Sequence, residues 1–378
     1  MSKSDKGHLR PAQIQDAIVI TKFLANLGLV MPEGSEDVIQ HWRDLWVENP
    51  AISHFGEGVA LGWVLEDDGV IKGFFGNIPQ IAWYEDREIL ISSARAWAVA
   101  SDYRSETTRL CEAFFSQTNA DLLFISSASL PAGRRCEAFG AKRMPQPDYA
   151  QILYWIIDSQ SFLMAAARKK GCTSVVTWAA GILGAMPLDA LKRVKLNHPK
   201  GCLDQVTVRR IAEIDEDFDV LWLRRRKELS HKILTNRSAL TLRWYFGLSA
   251  GRGDTRILCF YRKGVLEGYA AIVFEDVSSI GLKRLKIADL FVARDDAEVI
   301  GGLISAAYEF AMTKGCHVLE LIGLPELPRS EVLRYRPFSR PMATFPFFYK
   351  ALDEKLRSQL AAHKAWYITA YDGDTALI

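Results

Sequence analysis

Residues 89–115, ILISSARAWAVASDYRSETTRLCEAFF, constrain the fold of this chain more than any other stretch. They read as an apolar strand, a short polar turn at 101–104, and an amphipathic helix with Leu110, Phe114 and Phe115 on its buried side. A strand that feeds a helix start presents unpaired backbone N–H groups and a partial positive charge. Its first turn can therefore hold a phosphate or pyrophosphate without a dedicated side chain.

Length and composition narrow the class. A chain of 378 residues, 49% hydrophobic, can bury a large core and favours two domains over one. Its 47 basic and 45 acidic residues nearly cancel, so no overall field points to nucleic acid. The start, MSKSDKGHLRPAQ, lacks the apolar run of a signal peptide, and a cytoplasmic location is expected. The six cysteines, Cys111, Cys136, Cys172, Cys202, Cys259 and Cys316, are scattered without metal-ligand spacing; they read as reduced thiols, and no metal site is expected.

In chain order, a short strand and two helices (within 9–29 and 35–49) precede strands at 60–65, 70–82 and 89–99. After the helix come an apolar run at 122–126, a short helix at 131–139 and a closing strand at 150–157. The segment 172–187, CTSVVTWAAGILGAMP, is too short to span a membrane comfortably and is interrupted by Gly181, Gly184 and Pro187. No transmembrane segment is expected; with basic clusters at Arg168–Lys170 and 192–200, the stretch 161–200 reads as a solvated face or a peripheral membrane contact. From Gln205 the order repeats: strand, two helices, strands at 257–261, 265–274 and 285–292, a helix at 297–313, a strand at 318–322, a helical segment and a last strand at 345–350. Trp42-Arg43 has a counterpart in Arg243-Trp244, Gly73 in Gly268, and the run Trp97, Ala98, Val99 in Leu290, Phe291, Val292.

Strand, two helices, three antiparallel strands, helix, strand, helix, strand is the order of the GNAT-type N-acyltransferases, and the chain resembles a bacterial tandem-GNAT protein. The first half carries the resemblance in LRPAQIQDA, VIKGFFGNIP, WAVASDYRS and EAFGAKRMP; the tail WYITAYDGD is similar to tails of such proteins. The implied class is α/β (α+β): two GNAT-like domains, each a mixed, mostly antiparallel sheet flanked by helices. The implied division is an N-terminal domain at 1–160, a helical linker at 161–203, a C-terminal domain at 204–351 and a tail at 352–378. The resemblance also implies acetyl-CoA or another acyl-CoA as co-substrate. Trp97, Ala98 and Val99 on the fourth strand would line the pantetheine arm, with Arg104, Thr107, Thr108 and Arg109 at the pyrophosphate turn. The family's glycines at that turn are replaced here by Thr107 and Arg109. In the second half the turn is RDDAEVIGG, where Asp295 and Asp296 oppose a pyrophosphate.

Acyl transfer to an amine needs a base and a donor for the leaving thiolate. Asp289, an acid inside an apolar strand, is the candidate base, with Arg243 as its natural partner; Tyr149 is the candidate acid, against rivals Tyr84, Tyr103 and Tyr154. Arg95, equally isolated in an apolar strand, and Arg243 are the candidate substrate-binding residues, Arg95 by reading a carboxylate or phosphate. The expected function is N-acylation of a small-molecule amine, an amino-sugar in the first instance. Its alternatives are a non-catalytic GNAT-fold binding or scaffolding protein with degenerate CoA sites and an aminoacyl-tRNA-dependent Fem-type transferase.

Overall fold

The computed structural model describes residues 6–56, 58–195, 203–248, 255–342 and 346–377. Its strands are β1 (His8–Pro11), β2 (Gly62–Asp67), β3 (Val70–Tyr84), β4 (Arg87–Val99), β5 (Leu122–Ile125), β6 (Lys142–Arg143), β7 (Gln151–Ile156) and β8 (Val206–Arg209). They continue with β9 (Leu234–Thr235), β10 (Thr255–Arg262), β11 (Val265–Val277), β12 (Leu282–Val292), β13 (Val318–Leu321), β14 (Phe338–Pro341) and β15 (Phe348–Ala351). The helices are α1 (Ala17–Asn26), α2 (Ser35–Trp42), α3 (Pro50–Phe55), α4 (Thr107–Phe115), α5 (Leu130–Ala138) and α6 (Ser159–Lys169). They continue with α7 (Ser174–Lys195), α8 (Glu216–Glu228), α9 (Ala239–Gly247), α10 (Ala297–Thr313), α11 (Glu326–Leu333) and α12 (Glu354–Gln359).

Two mixed sheets result, and they share one strand order. The first runs β1-β2-β3-β4-β5-β15-β6 and the second β8-β10-β11-β12-β13-β7-β14. Among the described residues, the only parallel pair of strands in each is the one at the centre, β4 with β5 and β12 with β13. The closing strands are exchanged. β7 does not close the first sheet as expected but pairs with β13, Trp155 opposite Leu319, while β15 from the far end of the chain fills the place beside β5, Tyr349 opposite Phe124. Alternating apolar residues mark both as strands but carry no information about which apolar edge they cover. Phe345, expected in the last strand, and Cys202, together with the end of the basic run beyond 195, lie outside the described residues.

Three further expectations are corrected. The helix expected over 35–49 stops at Trp42, passes through a wide turn at Arg43–Val47, and restarts as α3, where Asn49 caps the amide of Ala51 and Pro50 occupies the first turn. Gly181 and Gly184 do not interrupt α7; they let it lie against α6, since a Cβ would come within 2.6 Å of Met164 and 2.8 Å of Leu163. Residues 366–374 are not a peripheral tail: Trp366, Tyr367, Ile368 and Tyr371 are almost fully buried between the two sheets.

One core is common to both halves. It packs Ile20, Trp42 and Trp46 of the first half against Phe218, Trp222 and Tyr245 of the second, with Tyr367 and Tyr371 of the terminal segment between them. Trp244 Nε1 donates to the Asp44 carbonyl at 2.6 Å across this junction. Apolar burial of this kind supplies most of the folding free energy, about 25 cal/mol per Å².

The exchange has a measurable consequence. A fragment of residues 1–160 lacks β15 and the terminal segment, leaving the apolar edge of β5 uncovered. It is expected to aggregate or to show no cooperative unfolding, whereas the full chain unfolds cooperatively; a soluble, cooperatively folded fragment would contradict the exchanged arrangement.

Candidate functional site

The site begins with a bulge in β4. Register between β3 and β4 shifts between Phe74 and Gly76, and Ala96 takes a left-handed φ of 52°, unusual for a residue with a side chain. Gly76 is required opposite, because a Cβ there would meet the Arg95 carbonyl at 2.8 Å. β4 pairs with β5 only over Ile91–Ser93 and then diverges from it, so the β5-facing edge of β4 beyond Ser93 has no strand partner among the described residues. Residues 95–100 accordingly retain accessible surface although they lie inside the fold.

A cavity of about 440 Å³ fills the angle between the diverging strands. Its walls include Arg95 and Trp97 of β4, Ile125 at the end of β5, Ser127 and Ala128 beyond it, and Trp42 of α2. Asp374 and Leu377 of the terminal segment close one side. Gly373 makes this approach possible: its φ is 86°, and a Cβ would strike the Ser126 hydroxyl at 2.5 Å. Asp374 Oδ1 accepts from Ser126 Oγ at 2.5 Å and Oδ2 from Ser127 Oγ at 3.0 Å. The Gly373 amide donates to Gln80 Oε1 and its carbonyl accepts from Tyr245, which fixes the turn.

Two opposite charges face this space. Burial raises the Asp374 carboxyl above the usual range, with the Arg95 charge and the two serine hydroxyls pulling it back. Burial pushes the Arg95 guanidinium down, opposed by Asp374, and Arg95 makes no hydrogen bond or ion pair with the described residues. Trp97 stacks on Phe75 at 5.1 Å, and its buried Nε1 has no partner among the described residues.

The second sheet repeats the divergence but not the opening. β12 is bulged at Ala288 and pairs with β13 only up to Ile287, yet the residues that follow are closed off, Asp289 at 1% exposure and Phe291 at 0%. The terminal segment lies on them. Thr369 Oγ1 donates to Asp289 at 2.7 Å, and Tyr367 packs edge-on against Phe291. The start of α10 is also satisfied: Asp296 accepts from the amides of Glu298 and Val299, and Asp295 pairs with Arg225 at 2.6 Å.

The residues singled out in the sequence divide accordingly. Arg95 and Trp97 line the cavity, with Ala98 and Val99 on the open edge of β4. At the turn, 101–106 forms a tight 3-10 helix before α4. Arg104 is exposed there, without a side-chain bond to the described residues; Thr107 donates to the Arg104 carbonyl, Thr108 accepts from Arg135, and Arg109 is held by Glu106 and the carbonyls of Lys6 and Gly7. Arg243 is not the partner of Asp289: it donates to the Ile214 carbonyl, and the partner is Arg237, 2.9 Å away and fully buried. Tyr149 is not among the residues walling the cavity; its hydroxyl lies 3.5 Å from Thr375, its ring against Gly323 and Phe347. Asp374 and Arg237 were missed. The signal was available in WYITAYDGD, where two acids follow an apolar run, the same pattern that singled out Asp289.

No family model matches the sequence, and no curated protein matches it at significant similarity. The fold does have relatives. It is similar to the GCN5-related N-acetyltransferase of Anabaena variabilis ATCC 29413, with TM-score 0.55 and 10% identity over 92% of this chain and 73% of that one. It is equally similar to the GCN5-related N-acetyltransferase of Kribbella flavida, with TM-score 0.55 and 11% identity over 92% and 71%. A conserved protein of unknown function from Enterococcus faecalis V583, "Probable N-Acyltransferase", superposes with TM-score 0.54 and 8% identity over 92% and 72%. The chain has a GNAT-type fold. In a GNAT-type frame the divergence of β4 from β5 sets the first half apart, because there it is matched by a partly exposed strand edge and a cavity, whereas among the described residues the corresponding part of β12 is buried.

Asp289 is buried and bonded to Arg237, Tyr269 and Thr369. Asp289→Ala leaves the Arg237 guanidinium buried beside a single remaining carboxylate and is expected to cost about 3–5 kcal/mol of stability. Chemical denaturation checks this; a variant as stable as the parent would restore Asp289 as a candidate for chemistry.

Proposed function

We propose that the chain is an acyl-CoA-dependent N-acyltransferase that works in the cleft of the first sheet and uses the second sheet as a filled, non-catalytic scaffold. The observation that carries this reading is the unpaired edge of β4 opening onto a cavity that also holds a buried carboxylate. An acyl-CoA fits the residues present. Its pantetheine arm is an extended chain of amides, and the free backbone groups of β4 can pair with it as a further strand would. The exposed Arg104 in the turn after β4 suits a phosphate.

Bound there, acyl-CoA would supply the thioester carbonyl. The residues of this chain supply the rest. An attacking ammonium must lose a proton, and Asp374 stands on the cavity wall with two serine hydroxyls fixing its orientation. Its raised pKa makes it a stronger base than an ordinary aspartate. The apolar walls exclude water and strengthen the charges inside.

The test is release of CoA thiol from acetyl-CoA and longer acyl-CoAs in the presence of a panel of amines. Asp374→Asn is expected to lower kcat/KM by about 100-fold or more. Because Asp374 must be ionised to act, the rate should rise with pH through a limb above the usual carboxylate range. Ser126→Ala, which removes a hydrogen bond that favours the ionised form, should move that limb to higher pH. Turnover unaffected by Asp374→Asn would remove Asp374 from the reaction, and no turnover with any pair would remove the transferase reading.

A further inference from the structure

The two arginines of the described structure with no exposed surface, Arg225 and Arg237, each have two carboxylates beside them. Arg225 pairs with Glu228 and Asp295, and Arg237 with Asp289 and Asp372. Arg95 keeps more accessible surface than these, lines the cavity, and has no ion pair or hydrogen bond among the described residues. A guanidinium set in a mostly apolar cavity wall without a partner gains from an anion that joins it. Asp374, whose charge Arg95 feels, forms no ion pair with it and is oriented by Ser126 and Ser127 instead. We infer that the acceptor brings that anion, and that it is an amino acid or a close derivative carrying a carboxylate beside its amine. The inference rests on the transferase reading above and specifies its substrate.

The complementarity is twofold. The carboxylate of the acceptor pairs with Arg95, which has five N–H donors in a planar fork, and its ammonium faces Asp374. A plain amine would leave Arg95 bare, and a plain acid would set two carboxylates against each other. A zwitterion satisfies both charges. Leu24, Val30, Met31, Trp42 and Phe75 supply an apolar wall, so the matching side chain is apolar. In the transfer the ammonium gives one proton to Asp374, the free amine forms the amide bond to the carbonyl carbon as the bond from that carbon to sulfur breaks, and the second nitrogen proton leaves with the sulfur, so CoA departs as the thiol.

Matched acceptors test this. L-Phenylalanine and L-leucine should be acylated with kcat/KM at least about 100-fold above phenethylamine and isoamylamine, as expected of a site built to pair a buried polar group. Arg95→Gln should collapse that ratio, and Arg95→Lys should restore part of it. In a separate binding arm without acyl-CoA, L-phenylalanine should raise the melting temperature of the parent protein and phenethylamine should not. Bare amines acylated as well as amino acids would overturn the inference while leaving the transferase reading intact. Absence of any transfer would overturn that reading alone, and the binding arm would then decide, an amino acid without effect on melting overturning the inference.

A second surface rests on different residues. α7 buries its small and polar side, Thr177 and Gly181 against α6, and turns its apolar side outward: Val175 is 77% exposed, Trp178 61%, Leu183 76% and Met186 80%. That is the reverse of a water-facing helix. Over Ser174–Lys192 it is long and apolar enough to cross a membrane. It is nevertheless fastened to the fold, Lys192 bonding the Ile157 carbonyl and Ser159, which fits a helix lying along a surface. Lys169 and Lys170 are exposed at the turn that leads into it, beside Arg168. The geometry points to docking of this face on a membrane carrying anionic lipid.

Co-sedimentation with vesicles tests it. The protein should pellet with phosphatidylcholine vesicles containing phosphatidylserine and much less with phosphatidylcholine alone. Lys169→Glu with Lys170→Glu, and separately Leu183→Ser with Met186→Ser, should each abolish pelleting. Equal pelleting by the variants, no pelleting by the parent, or a concentration-dependent dimer that the serine variant loses would overturn it, the last in favour of a second copy of the chain.

Discussion

The structure hangs on one buried guanidinium. Arg237, with no exposed surface, holds Asp289 of β12 and Asp372 of the terminal segment, and Thr369 bridges the two carboxylates. Burial opposes the charge of Arg237, but the two carboxylates outweigh it and hold its pKa above the ordinary value. Such a network adds little net stability over a well-packed apolar core, yet it dictates position, because any other path for the terminal segment strands a charge out of water. Two residues beyond Asp372, the same segment delivers Asp374 to the first cleft.

Seen from that knot, the two halves are unequal by construction. The segment that lies over the β12 edge of the second cleft and closes it also completes the wall of the first, so one half is filled by the piece that equips the other. The exchanged strands β7 and β15 reinforce the dependence, since each sheet is closed by chain from across the junction. The shared core around Trp46, Phe218 and Tyr371 leaves little freedom between the sheets.

Much of this was legible in the sequence. The strand and helix order, the change of direction after β4, the isolated arginine at 95 and the acids at the start of α10 all follow from local pattern, and local pattern is what periodicity and capping report. Partnership was not legible. β7 and β15 are short apolar strands whose alternation fixes a face but not a neighbour. Residues 366–374 lack any period, because a segment buried on all sides has no solvent face to encode. Asp289 was correctly seen as out of place, but which arginine answers it depends on the path of the chain: Arg237, in the loop just before α9, reaches it, whereas the expected Arg243 bonds the Ile214 carbonyl.

The claim at the centre of this account is that one cleft is open and its twin is filled. Calorimetric titration of the full chain with acetyl-CoA measures it directly. The account predicts one molecule bound per chain; two bound per chain, or none, would contradict it.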